Sequence, residues 1–353
     1  MKLLFITQKV DVDDDVLGFV TKWIAELSKY YEKVSVICLY EGKYNLPKNV
    51  QVYSLGKESN TSRILYILKF YKYIFKLRKD YTNVFVHMNQ IYVILGGLFW
   101  TMSKKKIALW YAHGTVSISL RLATFITHIV LTSTESGFRI ETPKKKVIGQ
   151  GIDTENVFVC PTQFEIKKKI NSSSIYTITT VGRISGIKGY DQVVDVAKLL
   201  VTDNIKFRIE LIGSPVYRHD FEYKKKLHQK IIHKNLDTIF TFVGSVENSL
   251  LPKYLCRSDL FVNMSSTGSL DKVILEAMAC DTLVLTCNEA LKNILPEECL
   301  YVAGDIGNFH KKIIYLYSLS ENEKSILQKK LRNIVCENHS LQQFAKKIIY
   351  SYE

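Results

Sequence analysis

The chain has 353 residues, with 48 lysines and arginines against 34 aspartates and glutamates, a net charge of +14 and a hydrophobic fraction of 47%. That is long enough for two domains. Its seven cysteines, odd in number and scattered, with Cys160 and Cys256 far from any close-spaced pair, read as buried or incidental thiols and exclude a disulfide scaffold. No CxxC pair or histidine cluster points to a metal.

The amino terminus opens with a short apolar strand, Leu3 to Ile6, before Gln8, Lys9 and the acidic run Asp11-Val12-Asp13-Asp14-Asp15. That apolar core is too short for a secretory signal. Further strand-like runs occur near Val34, Val84, Ile107, Ile129, Val147, Ile178, Ile209, Phe240, Phe261 and Val284, with helix-like segments between most of them. This alternation predicts parallel sheets with helices on both faces. Over 62–80, Lys69, Lys72, Lys76 and Lys79 recur at helical spacing among Phe70, Tyr71, Tyr73, Ile74 and Phe75. Such a stripe suits either an interfacial helix on anionic lipid or a solvated helix face. Val84 to Met102 is the most hydrophobic stretch; His87, Asn89, Gln90, Gly96 and Gly97 make it a strand followed by a buried helix and not a membrane span. Pro161 to Ser174 is polar, basic and aperiodic, as a linker would be. The remaining lysine runs, 104–106, 144–146 and 224–226, are scattered, and no nucleic-acid-binding fold is recognisable. We find no internal repeat.

Two segments carry chemistry. The strand Ile175 to Val181 runs into Gly182-Arg183-Ile184-Ser185-Gly186-Ile187-Lys188-Gly189, after which Val193, Val194, Ala197 and Leu200 have helical spacing. Arg183 and Lys188 therefore sit between a strand's carboxyl end and a helix's amino end, where free N–H groups and the helix dipole favour an anion such as a diphosphate. The plainer reading is an ordinary turn with two solvated cations. In the second segment, the strand Asp259 to Met264 is followed by Ser265-Ser266-Thr267-Gly268-Ser269-Leu270-Asp271-Lys272 and an apolar helix, Val273 to Cys280, then a strand over Thr282 to Cys287. Glu276 lies within that helix and is costly there without a partner. Ribose hydroxyls would satisfy it, as would a buried arginine or a backbone group.

With these residues in view, the chain resembles the retaining glycosyltransferases of family 4, which have the GT-B architecture. Val181-Gly182-Arg183-Ile184-Ser185 with Lys188-Gly189-Tyr190-Asp191 resembles the donor-diphosphate loop, and Leu275-Glu276-Ala277-Met278-Ala279-Cys280 the nucleotide-binding helix. Weaker matches are the opening Met1 to Gln8, Gly151-Ile152-Asp153-Thr154 at the domain junction, Leu211-Ile212-Gly213, and Phe242-Val243-Gly244 with Leu251 and Tyr254. The resemblance is strong over 146–290 and moderate before that. It implies an α/β fold of two Rossmann-like domains with parallel sheets facing across a cleft: residues 1–165 on the acceptor side, 166–339 binding the nucleotide sugar, and a final helix at 340–353 packing back on the first domain.

The sequence also departs from the family. The earlier of two glutamates that the family commonly carries is replaced by Gly268; Asp271 and Lys272 replace what is often glycine and an apolar residue; Asp281 stands where the family usually turns on glycine. The nucleotide half of the site is intact, and the sugar half would rest on Ser266, Ser269, Leu270, Asp271, Lys272 and backbone amides. Resemblance further implies that His113 orients the donor sugar, though a lone histidine is commonly structural, and that Gly18, with Gly182, lets backbone approach the donor phosphate. The acidic run contains an Asp-x-Asp triplet that suggests the metal-dependent GT-A enzymes, but it follows the first strand and reads as shaping the acceptor site or as solvated. The expected activity is transfer of a sugar from a nucleotide diphosphate sugar to a glycan or lipid-linked acceptor, with retention, without metal or cofactor, Arg183 and Lys188 stabilising the leaving group. The alternatives are a catalytically degenerate nucleotide-sugar-binding protein and a GT-B epimerase. A cytoplasmic enzyme of polysaccharide biosynthesis, peripheral at the membrane's inner face and without a nucleic-acid partner, is expected.

Overall fold

The computed structural model describes residues 1–14, 16–160, 175–266 and 268–353; Asp15, Thr267 and the expected linker at 161–174 lie outside them. Two compact units are present, Met1–Gly151 with Asn338–Glu353, and Ile152–Glu337.

The first unit is built on a parallel sheet in the order β3-β2-β1-β4-β5-β6-β7, comprising β1 (Lys2–Val10), β2 (Lys33–Glu41), β3 (Val50–Ser54), β4 (Asn83–His87), β5 (Lys106–Trp110), β6 (Ile129–Thr132) and β7 (Lys145–Val147). The apolar run that opens the chain feeds both faces of this sheet, because successive side chains of a strand point to opposite sides. Leu3 and Phe5 join a core with Trp23, Trp110 and Phe344. Leu4 and Ile6 join the opposite core with Phe70, Trp100 and Phe138. Helices α1 (Phe19–Ser28) and α11 (Leu341–Ser351) cover the first face. Trp23 and Phe344 meet with ring centroids 4.1 Å apart, and the Tyr352 hydroxyl donates to the Val84 carbonyl at 2.7 Å. The carboxyl-terminal segment thus completes this unit's core.

The other face carries α2 (Arg63–Lys76), α3 (Gln90–Met102) and α4 (Ile118–Ile126). Ser62 and Ser117 cap α2 and α4 by accepting from Leu65 N and Leu120 N. The hydrophobic stretch 84–102 resolves into β4 and α3, and no helix among the described residues is long and apolar enough to cross a membrane.

In the second unit the parallel order is β10-β9-β8-β11-β12, formed by β8 (Tyr176–Val181), β9 (Phe207–Ile212), β10 (Phe240–Gly244), β11 (Leu260–Asn263) and β12 (Leu283–Thr286). Around it lie α5 (Tyr190–Thr202), α6 (Arg218–His233), α7 (Leu251–Leu255), α8 (Lys272–Ala279), α9 (Ile306–Ser318) and α10 (Glu321–Asn338).

Two findings revise or explain the sequence. Cys160 and Cys256, taken as incidental thiols, form a disulfide across 96 positions with Cα atoms 5.7 Å apart. Folding brings together what spacing held apart, and closing a loop of that length is worth about 4–5 kcal/mol in the chain-entropy account. The helix α8 ends in a Schellman motif, Thr282 N donating to Ala277 O and Asp281 N to Met278 O, which puts Asp281 in the left-handed region at φ 51°. The family's glycine position therefore keeps its glycine geometry here, and a side chain costs about 1 kcal/mol.

Within the first unit, His339 is buried, its Nδ1 accepting from Gln150 N at 3.3 Å, and burial drives its pKa down from 6.5 to about 4, with Lys347 adding to the effect. The unfolded chain gains a proton near pH 6.5 and the folded chain resists until about 4, so stability present above 6.5 is lost as pH falls through that window. The slope is at most about 1.4 kcal/mol per pH unit. Melting followed from pH 7 to 4 should show this decline, and His339→Asn should flatten it.

Candidate active site

The strand order of the second unit reverses between β8 and β11, which lie side by side and parallel. In open α/β sheets, loops leaving the carboxyl ends of two such strands diverge to opposite faces and leave a crevice between them. The two chemistry-bearing segments are those loops. One leaves β8 with Arg183 and Lys188 and enters α5; the other leaves β11 and enters α8 with Glu276.

They are tied together. Lys188 Nζ donates to both carboxylate oxygens of Asp271 at 2.8 Å, and Asn263 Nδ2, from the end of β11, donates to the same carboxylate at 3.0 Å. Asp271 therefore anchors the lysine of the opposite loop, which gives a physical role to a residue that departs from the family pattern. Asn263 Oδ1 accepts from Ser265 N and Thr286 Oγ1, and Asn288 Nδ2 donates to the Ser269 carbonyl at 2.8 Å. Sequence reasoning missed Asn263 and Asn288. Polar residues at the ends of the apolar runs Leu260 to Val262 and Leu283 to Leu285 were the available signal. Leu270 and Gly268 are buried, Ser269 is half-buried and Ser266 is exposed, so the small-residue loop passes from solvent into the core within a few positions.

Arg183 is held by α6. Its Nε lies 3.6 Å from Asp220 Oδ2 and its guanidinium stands 4.9 Å from the centre of the Tyr217 ring. Asp220 is fully buried and accepts from Tyr217 N at 3.0 Å and Val216 N at 3.3 Å. These amides first, and Arg183 in addition, hold its carboxyl below the usual aspartate range. The loop after β9 supports the same place, because Gly213 has φ 132° and a Cβ there would overlap the Gly182 carbonyl. Tyr190 Oη donates to that carbonyl at 2.8 Å from the start of α5.

On α8, Glu276 is 7% exposed, and Asn248 Nδ2 approaches its Oε1 at 3.5 Å. The Lys272 ammonium, one turn earlier, is buried, and burial lowers its pKa well below 10.5 against the opposing pull of Glu276. Arg183 thus pairs with Asp220 and Lys188 with Asp271 at this crevice, while Lys272 lies buried on α8 with Glu276.

Gly18 and His113 belong to the first unit. Gly18 precedes α1 where a Cβ would come 2.7 Å from Asp14 O, so close backbone approach explains the glycine. Around it, Lys9 Nζ binds Asp14 at 2.7 Å and Asp11 at 3.1 Å, Lys43 binds Asp13 at 3.2 Å, and Asp14 Oδ1 accepts from Val16 N and Leu17 N. The described acids of the run shape their own loop. His113 is exposed in the loop after β5, and its Nδ1 accepts from Thr115 N at 3.2 Å. His87, read in the sequence only as a polar interruption of the stretch 84–102, is instead buried at the end of β4, hydrogen-bonded to Thr7 Oγ1 at 3.1 Å and edge-on to Trp23.

Replacing Gly213 with Ala should displace the Gly182 carbonyl and lower stability by about 2 kcal/mol or more, measured by denaturant unfolding against Gly244→Ala, where no atom lies within 4 Å of the added Cβ.

Residues 175–319 match the family model described as glycosyl transferases group 1. A Klebsiella pneumoniae protein described as an uncharacterized 41.2 kDa protein in the cps region is 32% identical over 136 residues, 38% of this chain and 32% of that protein. The match spans about a third of that relative's length. Among solved structures, Anabaena Alr3699/HepE in complex with UDP superposes with a TM-score of 0.80 at 16% identity, covering 100% of this chain and 99% of that one. Sucrose-phosphate synthase from Thermosynechococcus elongatus gives 0.75 at 14% identity, covering 100% and 98%. The chain therefore has the GT-B glycosyltransferase fold, and over 175–319, the part holding the crevice between β8 and β11, it matches the group 1 glycosyl transferases.

Proposed function

We propose that the protein transfers a sugar from a nucleotide diphosphate sugar to a glycan or lipid-linked acceptor. The observation that carries this reading is the meeting of two loops at the reversal of strand order, one bringing Arg183 and Lys188, the other the acid-bearing helix α8. The family match over the same residues supports it, as does the Anabaena protein's structure in complex with UDP.

In this reading the diphosphate lies against the start of α5, and Glu276 accepts from the ribose hydroxyls. The bond between the anomeric carbon and the diphosphate oxygen breaks, and its electron pair leaves with the diphosphate. Arg183 and Lys188, already oriented by Asp220 and Asp271, stabilise that developing charge without reorganising at the moment of reaction. The acceptor oxygen bonds to the anomeric carbon on the face the diphosphate leaves, and the acceptor proton passes to the diphosphate. Configuration is retained, and no metal takes part. Ser266, Gly268, Ser269, Leu270, Asp271 and Lys272 hold the sugar and phosphate.

The purified protein should release nucleotide diphosphate from one member of a panel of uridine, guanosine and adenosine diphosphate sugars, in chelator. Arg183→Ala should lower turnover by about 100-fold or more while leaving the melting temperature within a few degrees. An unchanged rate removes Arg183 from the site. Gly268 favours a second reading, binding without transfer, because it lacks the carboxylate that usually touches the sugar; donor-induced thermal stabilisation with no product on any acceptor would establish it.

The acceptor side is a membrane-facing layer in this reading. Packing revises how α2 contributes: Phe70 and Ile74 are core residues, the Tyr71 and Tyr73 hydroxyls bond Leu95 O and Ser54 O, and Lys69 is half-buried next to Gly56. The apolar side chains α2 exposes are Ile64, Leu65, Ile67, Leu68 and Phe75, and the adjoining helices expose Leu98 (74%), Met102 (76%), Ile118 (87%) and Phe125 (82%). Lys72, Lys76, Lys79, Lys104 and Arg121 are exposed among them. Apolar side chains among cations suit the surface of an anionic bilayer. The protein should co-sediment with vesicles containing anionic lipid, less so at high salt, and Leu98→Glu with Phe125→Glu should abolish sedimentation without loss of fold.

A further inference from the structure

Cys160, Cys256 and Cys280 come from three separate places in the second unit. Cys160 ends the described segment 152–160, Cys256 follows α7, and Cys280 is the residue on which α8 ends. Their sulfur atoms all lie within 4.8 Å of one another, and Cys160 Sγ sits 2.9 Å from the Cys280 carbonyl oxygen. Cys160 and Cys256 are half-exposed and joined, while Cys280 is buried behind them as a free thiol. The other free thiols, Cys38, Cys287, Cys299 and Cys336, take no part in this cluster.

A disulfide accounts for two of these sulfurs and leaves the third unexplained. Three cysteines from three chain segments converging on one point is the arrangement by which thiolates hold a soft cation, and sulfur ligands about 2.3 Å from zinc stand roughly 3.8 Å from each other. Once the disulfide is opened, the cluster needs only small side-chain adjustments to reach that spacing.

The surrounding charges bear on the site. Glu276, Arg332 and Asp281 are the charged groups that act on Cys280. Arg332 Nη1 also donates to the Ala279 and Phe158 carbonyls, so its positive charge is fixed between α8 and the segment that carries Cys160. A bound dication supplies the compensation that a bare buried thiolate lacks.

The geometry points to a thiolate site on Cys160, Cys256 and Cys280 for a thiophilic cation of the zinc class in the reduced chain, with the Cys160–Cys256 disulfide as the oxidised, metal-free form of the same cluster. A dithiol reductant opens the disulfide with two electrons and two protons and is itself oxidised to a disulfide. The cation then displaces three thiol protons. In reverse, a low-molecular-weight disulfide takes two electrons from the Cys160 and Cys256 thiolates and leaves as two thiolates, the cation is released, and the Cys280 thiolate takes a proton from water. Bound, the cation fastens α7, α8 and the segment 152–160 together on the opposite end of α8 from Asp271. This reading is independent of the sugar-transfer proposal.

The test uses the full chain, reduced with a dithiol, desalted without oxygen and titrated with cadmium as a spectroscopic stand-in for zinc. Expected is one cadmium per chain with thiolate-to-metal charge-transfer absorption, displacement by zinc, and none of this in the oxidised chain. Cys280→Ala should lose about a third of the absorption and bind at least tenfold more weakly, yet still form the Cys160–Cys256 disulfide, seen as a cross-linked peptide by mass spectrometry. Should that variant not fold, Cys160→Ser, at a half-exposed position, should show the same loss of absorption and affinity. A folded, reduced chain that takes up no cadmium overturns the proposal, as does unaltered absorption in a folded variant.

Discussion

The parallel pairing of β8 with β11 is the constraint on which the second unit's chemistry depends. Strands from distant parts of the chain become neighbours there, and their outgoing loops are turned to opposite faces with a crevice between them. A cation loop and an acid-bearing helix, separated by some eighty positions of sequence, are brought within a salt bridge of each other, Lys188 to Asp271. Neither loop alone is a site. Side by side they bring Arg183 and Lys188 together with Asp271 and Glu276.

That balance has a physical meaning. An anion site made of unpaired cations would repel itself and lose stability in the empty state. Pairing Arg183 with Asp220, and Lys188 with Asp271, holds each cation in place while leaving it partly exposed and able to share its charge. Positioning is supplied before any ligand arrives, which is what electrostatic stabilisation of a leaving group requires. The cost is a weaker net field, partly offset by backbone N–H groups at the starts of α5 and α8, which themselves lie next to Asp191 and Asp271.

The two faces of the first unit divide their labour through the alternation of β1. One face is closed by α1 and the returning α11, with Trp23, Trp110 and Phe344 in mutual ring contact. The other is covered by a layer whose inner side is largely aromatic and whose outer side is apolar and basic. Lys144 caps the end of α4 by donating to the Thr124, Phe125 and Thr127 carbonyls, so one member of a scattered lysine run serves helix termination.

Much of this was legible in the residues. Strand and helix alternation, the division of 84–102 into strand and helix, the cation loop before α5 and Glu276 within an apolar helix are all local, set by hydrophobic period, glycine placement and capping, and the structure has them where the sequence puts them. What the sequence alone could not decide is whatever depends on which distant segments pair. Asp271 read as a departure until it met Lys188, Asn263 and Asn288 acquired roles only as neighbours of the loop, and Cys160 read as incidental until folding set it against Cys256 and Cys280. The basic aromatic helix turned Phe70 and Ile74 into the core that the sheet beneath offered, a choice that periodicity within one helix does not encode. Local periodicity determined the elements; strand order, a property of long-range pairing, decided which side chains would share a site.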